Sequence, residues 1–259
     1  MKRFLAFLLL LLAVCPALAF DPFKEAGIDQ HPGAQVPLDR AFVDEAGKSV
    51  TLKELGGGKP MLLVPVLHNC PNICGVTLSG LAQAVRAQPF KPGRDFAIVA
   101  FGIVPKEGPE DSRASLAELK QAFPDFGGHA HAVTGGAKDI KAVTDALGYR
   151  YAWDDRIGQY AHVAATAVLT PEGKLARWLY GLSPEPTDLR LALTEAGQGQ
   201  VGGWRDQLLL LCYHYDPETG RYGSLIWTLL RIGGGLTVAA GLSLIGLSVL
   251  RERRAGRRR

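Results

Sequence analysis

Residues 59–74, which read KPMLLVPVLHNCPNIC, decide the fold of this 259-residue chain. The continuous apolar run over residues 59–67 predicts a short strand with both faces buried, because a half-exposed strand would alternate apolar and polar side chains. The apolar spacing of residues 76–87 then predicts a helix. Cys70 and Cys74 therefore lie where a buried strand ends and a helix begins, and functional groups of α/β sheets collect at that end of the strands.

The chain after this stretch continues to alternate strands with helices. The predicted elements are a strand over residues 96–104, helices over 112–123 and 137–147, strands over 163–169 and 175–180, and a helix over 186–196. Their order of strand, helix, strand, helix, hairpin and helix is that of an α/β thioredoxin-like domain. A smaller hairpin is predicted over residues 42–55, and the whole domain over residues 20–196.

The N-terminal residues have the form of a secretory signal peptide. Residues 1–19 combine a basic start, an apolar run too short for a comfortable membrane span and an Ala-Leu-Ala end. Cleavage after this segment would remove Cys15. In the alternative, Cys15 would carry a lipid, but Val14 is bulkier than the residue that normally precedes a lipidated cysteine.

The C-terminal residues predict a membrane anchor. A linker and juxtamembrane segment over residues 197–223 leads to residues 224–250, which are apolar enough and long enough for a transmembrane helix. The basic tail over residues 251–259 is expected on the cytoplasmic side. The soluble domain then faces the periplasm or the cell exterior, held to the bacterial inner membrane by one C-terminal span. In that oxidising compartment, an exposed cysteine pair is catalytic, metal-bound or a disulfide.

The distribution of charge excludes nucleic acid as a partner. The net charge of +4 arises at the ends, because residues 1–19 and 251–259 hold eight of the 29 basic residues and one of the 25 acidic residues. The remaining chain carries 21 basic against 24 acidic residues, whereas a nucleic-acid-binding domain carries a basic surplus. Four cysteines in a chain of this length also exclude a small scaffold built on disulfides.

Three residues separate Cys70 from Cys74, and the chemistry of such a pair leaves three alternatives. Two thiolates at the start of a helix, where backbone N–H groups favour the thiolate form, bind a soft metal such as Cu(I). The same residues could be a redox-active pair, although thiol–disulfide enzymes of this fold usually carry two intervening residues. A purely structural disulfide would close too short a loop to add much stability.

His162 is the candidate for a third metal ligand. It lies at the entry to the predicted strand over residues 163–169, and in a thioredoxin-like sheet the loop before that strand approaches the cysteine turn. One imidazole and two thiolates would form a Cys2His site. Taken alone, a histidine beside a strand is more often a surface residue or a hydrogen-bonded one.

A second possible metal contact lies between the linker and the membrane helix. Cys212 and His214 are two residues apart, so an extended strand would place both side chains on one face. The tyrosines at 213, 215 and 222 favour the simpler interpretation of an aromatic belt at the membrane surface.

Further polar residues have simple explanations. His129 and His131 are two residues apart and could bind a metal, but we favour a solvated loop for them. We interpret the pair Asp154 and Asp155 as a solvated turn. His68 either supports the neighbouring thiolates, acts as an auxiliary ligand, or is an ordinary loop residue.

Two stretches together resemble the SCO/SenC family: CPNIC at residues 70–74, and LGYRYAWDDRIGQYAHVAATAVLTPEGKLARWLYG at residues 147–181. The resemblance extends over residues 41–196. It implies a thioredoxin-like, membrane-tethered protein that binds copper through Cys70, Cys74 and His162 and helps to assemble the binuclear copper centre of cytochrome c oxidase. The implied partners are the copper-bearing subunit of the oxidase and a periplasmic copper donor or thiol reductant.

The chain departs from the family pattern at three points. Gly75 stands where the family usually has a proline, and residues 103–105 lack the aspartate of the usual Asp-Pro pair. The predicted anchor is C-terminal, whereas many relatives have an N-terminal one. The missing aspartate bears on fine tuning of the site or on a partner contact, and not on a proposed ligand.

These observations favour a copper metallochaperone over a turnover enzyme. The site would hold one copper as Cu(I) or Cu(II), and oxidation of Cys70 and Cys74 to a disulfide would abolish it. The alternative is a thiol–disulfide oxidoreductase that reduces the copper-ligand cysteines of the oxidase, which requires both cysteines but not His162. A copper sensor or store is a second alternative.

Overall fold

The computed structural model describes residues 25–70, 74–156, 158–197, 213–216 and 221–256. The predicted signal peptide over residues 1–19, with Cys15, lies outside the described residues. So do Cys212 and most of the predicted linker.

Strands and helices alternate along the described chain. In order they are β1 (Gly27–Ile28), β2 (Ala41–Asp44), β3 (Ser49–Thr51), α1 (Leu52–Gly56), β4 (Met61–Val66), α2 (Cys74–Arg86), β5 (Ala97–Gly102), α3 (Pro109–Ala122), α4 (Pro124–Gly127), β6 (Ala130–Thr134), α5 (Ala137–Leu147), β7 (Tyr149–Arg150), β8 (Ala152–Asp154), β9 (Gln159–Ala161), β10 (Ala165–Leu169), β11 (Leu175–Tyr180), α6 (Pro186–Ala196), β12 (Tyr213–Asp216), β13 (Arg221–Ser224) and α7 (Leu225–Gly256).

A mixed sheet in the order β11-β10-β4-β5-β6-β2-β3 forms the centre of the domain. Strands β4, β5 and β6 run parallel, with α2 and α3 as the crossovers between them. Strand β10 pairs antiparallel with β4, and β11 pairs antiparallel with β10. The prediction of an α/β thioredoxin-like domain is therefore confirmed.

The core is built on the two apolar runs that the sequence displays. Every residue of β4 and of β5 is buried, so both faces of these strands are covered. Helix α2 packs against α3 and α6, and α6 also packs against β10 and β11. Each fully buried Leu, Ile or Val contributes about 1.5–3 kcal/mol of hydrophobic free energy, which explains why these two strands contain no charged residue and no polar side chain.

Two predicted boundaries, the start of α3 and the end of the hairpin before α1, are wrong because the residues that cap these helices differ from the expected ones. Helix α3 begins at Pro109 and not at Ser112, because the Gly108 N–H donates to the Asp111 carboxylate at 2.9 Å and a proline suits the first helical position. Ser112 is buried inside the helix. The predicted hairpin over residues 42–55 exists as β2 and β3, but it ends at Thr51, whose side chain caps α1.

Strand β6 was not predicted, and its presence corrects the interpretation of His131. That residue lies in β6, and its Nδ1 is 3.5 Å from the Glu45 Oε1 atom, whereas His129 lies in an exposed turn as expected. The solvated-turn interpretation is also wrong for Asp154. This residue is buried at the end of β8 and accepts hydrogen bonds from the Arg156 guanidinium at 2.8 and 3.0 Å.

Helix α7 overlaps residues 225–250 of the predicted transmembrane segment and continues to Gly256, within the predicted basic tail. It follows the antiparallel pair β12 and β13. Large apolar side chains on it are exposed: Ile232, Leu236, Val238, Leu242, Leu244 and Ile245. Over the residues that the structure describes, no helix satisfies the length and apolarity required of a membrane span.

Glu45 joins the β2–β3 turn to β6, and its ionisation should make stability depend on pH. Burial alone would raise the pKa of Glu45, but the His131 imidazole and backbone N–H groups, including that of Ala132, lower it from 4.5 to about 2. Because the pKa is lower in the folded state, this stabilisation is complete above pH 4.5 and declines towards pH 2. We expect Glu45→Gln to lower the free energy of unfolding at pH 7 and to matter progressively less below pH 4.5.

Urea denaturation of the full-length chain between pH 2 and pH 7, followed by tryptophan fluorescence, measures this effect. The exposed Glu118 offers a matched control as Glu118→Gln. A loss of stability in Glu45→Gln that stays constant across this pH range would contradict the assignment.

Candidate metal centre

The pairing of β10 with β4 brings the predicted ligand segments to one edge of the sheet. Ala167 pairs with Leu63 and Leu169 with Met61, so the strands run in opposite directions. The residues before β10 and the residues after β4 therefore lie at the same edge. His162 is in the first of these segments and Cys70 is in the second.

The cysteine turn connects the buried strand β4 to helix α2. Cys70 is half-buried and packs against the core. Helix α2 begins at Cys74, two residues before the predicted start at residue 76, and the side chain of Cys74 is not among those that the structure describes. A cysteine at the first position of a helix lies close to unpaired backbone N–H groups, which favour its thiolate.

A carboxylate from the loop after β5 holds the residue before Cys70. The Asn69 N–H donates to the Glu107 Oε1 atom at 2.8 Å, and Glu107 Oε2 is buried with no hydrogen-bond partner among the residues that the structure describes. Burial raises the pKa of Glu107, against the opposing effect of the Asn69 and His68 backbone N–H groups. Sequence reasoning missed Glu107, although it noted that this loop lacks an aspartate at residues 103–105.

His68 is a buried residue and not an ordinary loop residue. Its side chain is 8% exposed, and its Nε2 lies 3.0 Å from the Val133 carbonyl oxygen. Because a carbonyl only accepts, Nε2 carries the proton and Nδ1 has none. Nδ1 is buried, and no described residue is hydrogen-bonded to it. Burial lowers the pKa of His68, which keeps the ring neutral. Glycine at 102 makes room for the ring, since a Cβ there would lie 2.9 Å from His68 Cδ2.

His162 is half-buried, and its ring contacts a buried tyrosine. Its Nδ1 lies 3.0 Å from the hydroxyl oxygen of Tyr149, and the same hydroxyl donates to the Val163 carbonyl oxygen at 2.7 Å. Burial lowers the pKa of His162, opposed by the Val163 backbone. The imidazole is therefore neutral at neutral pH, and the neutral form is the one that binds metals.

A small aromatic cleft borders the cysteine turn on the side of the β8–β9 hairpin. Trp153 is 49% exposed and meets Tyr160 edge to face, with ring centroids 5.3 Å apart. These two side chains, together with Asn69 and Glu107, line a cleft of about 240 Å³. The sequence pattern did not indicate this hairpin.

Within the described side chains, which exclude that of Cys74, no group of three or more His, Cys, Asp or Glu residues is arranged to hold a metal ion. The described members of the predicted ligand set are Cys70 and His162. A thiolate sulfur and an imidazole nitrogen are donors that suit copper. His214 belongs to β12, and neither its side chain nor Cys212 is described.

Glu107 offers a test of how the cysteine turn is held. Glu107→Ala removes the acceptor for the Asn69 N–H, whereas Glu107→Gln retains an oxygen there. We expect the alanine variant to lose about 1–2 kcal/mol locally, which corresponds to roughly 5- to 30-fold faster hydrogen exchange at the Asn69 amide.

Hydrogen exchange of the metal-free, reduced chain measures the difference. The glutamine variant serves as the control and should exchange at close to the original rate. Equal exchange rates in the original chain and in the alanine variant would show that Glu107 does not hold the turn.

The chain is similar to known proteins both in sequence and in fold. Residues 29–192 match the model of the SCO1/SenC family. A candidate electron transfer protein from Aquifex aeolicus VF5 is 25% identical, with 65% of this chain and 95% of that chain covered and a TM-score of 0.57. A comparison with curated protein sequences gives no match.

Two further solved structures share the fold at lower identity. ScoI of Arabidopsis thaliana, solved with copper bound, is 22% identical over 65% of this chain and 99% of that chain, with a TM-score of 0.51. BsSco, described as a member of the Sco family of cytochrome c oxidase assembly proteins with a disulfide switch, is 18% identical over 66% and 97%, with a TM-score of 0.50.

Proposed function

Because the chain belongs to the SCO1/SenC family, we propose that it is a copper metallochaperone that serves the assembly of cytochrome c oxidase. One copper is bound by Cys70, Cys74 and His162 and passed to the binuclear copper centre of the oxidase. The observation that carries the proposal is the antiparallel pairing of β10 with β4, which supports a shared site for the cysteine turn and the His162 loop.

The donor set suits transient binding of copper as cargo. Two thiolates and one neutral imidazole satisfy Cu(I) in three-coordinate geometry and leave one side open to a ligand from the acceptor protein. Loading displaces the protons of the two thiols, so copper binding is coupled to pH. A Cys70–Cys74 disulfide has no thiolate to offer, and it must take up two electrons from a thiol reductant before copper can bind.

The proposal includes a location at the bacterial inner membrane, with the domain in the periplasm. The basic, apolar segment over residues 1–19 is the export signal, and residues 224–250 are the anchor. The exposed apolar side chains of α7 support this assignment, as does the basic tail that follows. The oxidase subunit that carries the copper centre would meet the domain at this membrane.

A thiol–disulfide oxidoreductase acting on the oxidase cysteines is the second candidate. The half-buried position of Cys70 and the start of α2 at Cys74 favour it, because a partly accessible pair at a helix start can exchange disulfides. This activity needs both cysteines and has no need of His162, so variants at His162 distinguish the two functions.

An anaerobic Cu(I) titration of the reduced full-length chain in detergent tests the copper site. We expect one tightly bound copper per chain, and at least about a tenfold loss of affinity in His162→Ala, because one of three ligands is removed. The exposed His129 provides the matched control as His129→Ala, which should bind like the original chain.

Two outcomes would contradict parts of this assignment. Equal affinity in His162→Ala would remove His162 from the site. Absence of tight copper binding, together with rapid disulfide exchange between Cys70–Cys74 and thiols of the oxidase subunit, would make the oxidoreductase the better conclusion.

A further inference from the structure

We propose that Tyr149 is a positioning residue that fixes His162 in the tautomer with the proton on Nδ1, so that Nε2 is the nitrogen presented to copper. This inference rests on the proposed function, because it specifies how that site holds its histidine. It follows from the direction of two hydrogen bonds that share one hydroxyl group.

The single proton of the Tyr149 hydroxyl determines both directions. The Val163 carbonyl oxygen lies 2.7 Å from this hydroxyl and can only accept, so the phenolic proton points at Val163. The His162 Nδ1 atom lies 3.0 Å from the same oxygen. Since the hydroxyl has no second proton to give, Nδ1 must donate, and it therefore carries the hydrogen. In a neutral imidazole this leaves the lone pair on Nε2.

The ring that carries this hydroxyl is held by close packing. Tyr149 is 2% exposed and stacks on the fully buried Trp178, with ring centroids 5.7 Å apart. Its backbone pairs with Ile28 of β1, and Gly148 ends α5 immediately before it in the left-handed conformation. A tyrosine ring clamped in this way offers a fixed acceptor to His162.

Tyr149 also acts on the backbone that carries the histidine. Its bond to the Val163 carbonyl holds the peptide between Val163 and Ala164, one residue beyond His162 and just before β10. One hydroxyl therefore restrains both the ring rotation of His162 and the position of its main chain. Partners of this kind, which bind the second nitrogen of a ligand histidine, typically contribute 10- to 100-fold to metal affinity.

Tyr149→Phe isolates the hydroxyl, because the ring keeps its contacts with Trp178. The matched control is Tyr151→Phe, which removes a hydroxyl from a ring whose centroid lies 6.3 Å from that of Tyr149. Melting temperatures of both variants establish that the fold is retained.

The first measurement is nitrogen NMR of the histidines in the metal-free, reduced full-length chain, which needs no copper. We expect the Nδ1–H tautomer of His162 in the original chain and in Tyr151→Phe, and a mixture of tautomers in Tyr149→Phe. An Nε2–H tautomer in the original chain would overturn the proposal.

The second measurement is a Cu(I) affinity cycle over the original chain, Tyr149→Phe, His162→Ala and the double variant. We expect Tyr149→Phe to weaken binding about 10- to 100-fold in the original chain and less than about twofold when His162 is already absent. Equal weakening in both backgrounds would mean that Tyr149 acts only on general structure, and would overturn the proposal.

The two measurements separate failure of this inference from failure of the proposed function. If His162→Ala binds copper as the original chain does, the assignment of His162 as a copper ligand is wrong, and so is the proposed role of its Nε2 atom. The NMR result then still reports whether Tyr149 sets the tautomer. If His162→Ala weakens binding but Tyr149→Phe does not, the copper site stands and the positioning role is wrong.

Discussion

The pairing of β10 with β4 in the interior of the sheet is the constraint on which the rest of the site depends. Leu62, Leu63, Ala167 and Val168 are completely buried along this pair, so the strands cannot shift without disturbing the core on both faces. A slip of two residues would preserve which face each side chain occupies, but it would move His162 by about 7 Å along the strand direction. Core packing therefore sets the distance between the histidine loop and the cysteine turn.

The irregularities of this region lie on the other side of β10. The β10–β11 pairing changes register between Val168 and Leu169, which is a bulge next to the turn at the far end of the hairpin. The edge that carries His162 keeps regular pairing from Ala165 with Tyr180 onward. Distortion is thus confined to the end of the hairpin remote from the proposed ligands.

The groups that support the proposed ligands come from separate parts of the chain. Glu107 follows β5 and reaches the backbone before Cys70, while Tyr149 follows α5 and reaches His162. His68 reaches the end of β6. Each support joins the ligand edge to a different strand or crossover, so the ligand segments are restrained from several directions although they lie outside regular strands.

The parts of the structure that were predictable are those with a strong local pattern. The apolar runs of β4 and β5 indicated buried strands, and the bounds of β11, α5 and α6 agree with the prediction. Strand β6 was not predicted because it is short and contains a histidine. The start of α3 was misplaced because Asp111, and not Ser112, forms the capping contact, by accepting from the N–H of Gly108 just before the helix. Glu107 and Tyr149 could not be found in this way, because their roles arise from contacts between irregular segments that only the tertiary fold brings together. The export signal, the membrane anchor and the copper ligands stay predictions.

The close packing around Gly102 and His68 limits which residues this sequence can carry at these positions. The imidazole lies across the end of β5 in the space that a side chain at 102 would fill, and the Val133 carbonyl oxygen bounds the same space, 2.9 Å from where a Cβ would stand. A smaller side chain at 68 would remove only one of these two obstructions, because the carbonyl oxygen belongs to the backbone of β6. Glycine is therefore required at 102 whichever residue occupies position 68, so position 68 can vary while position 102 cannot.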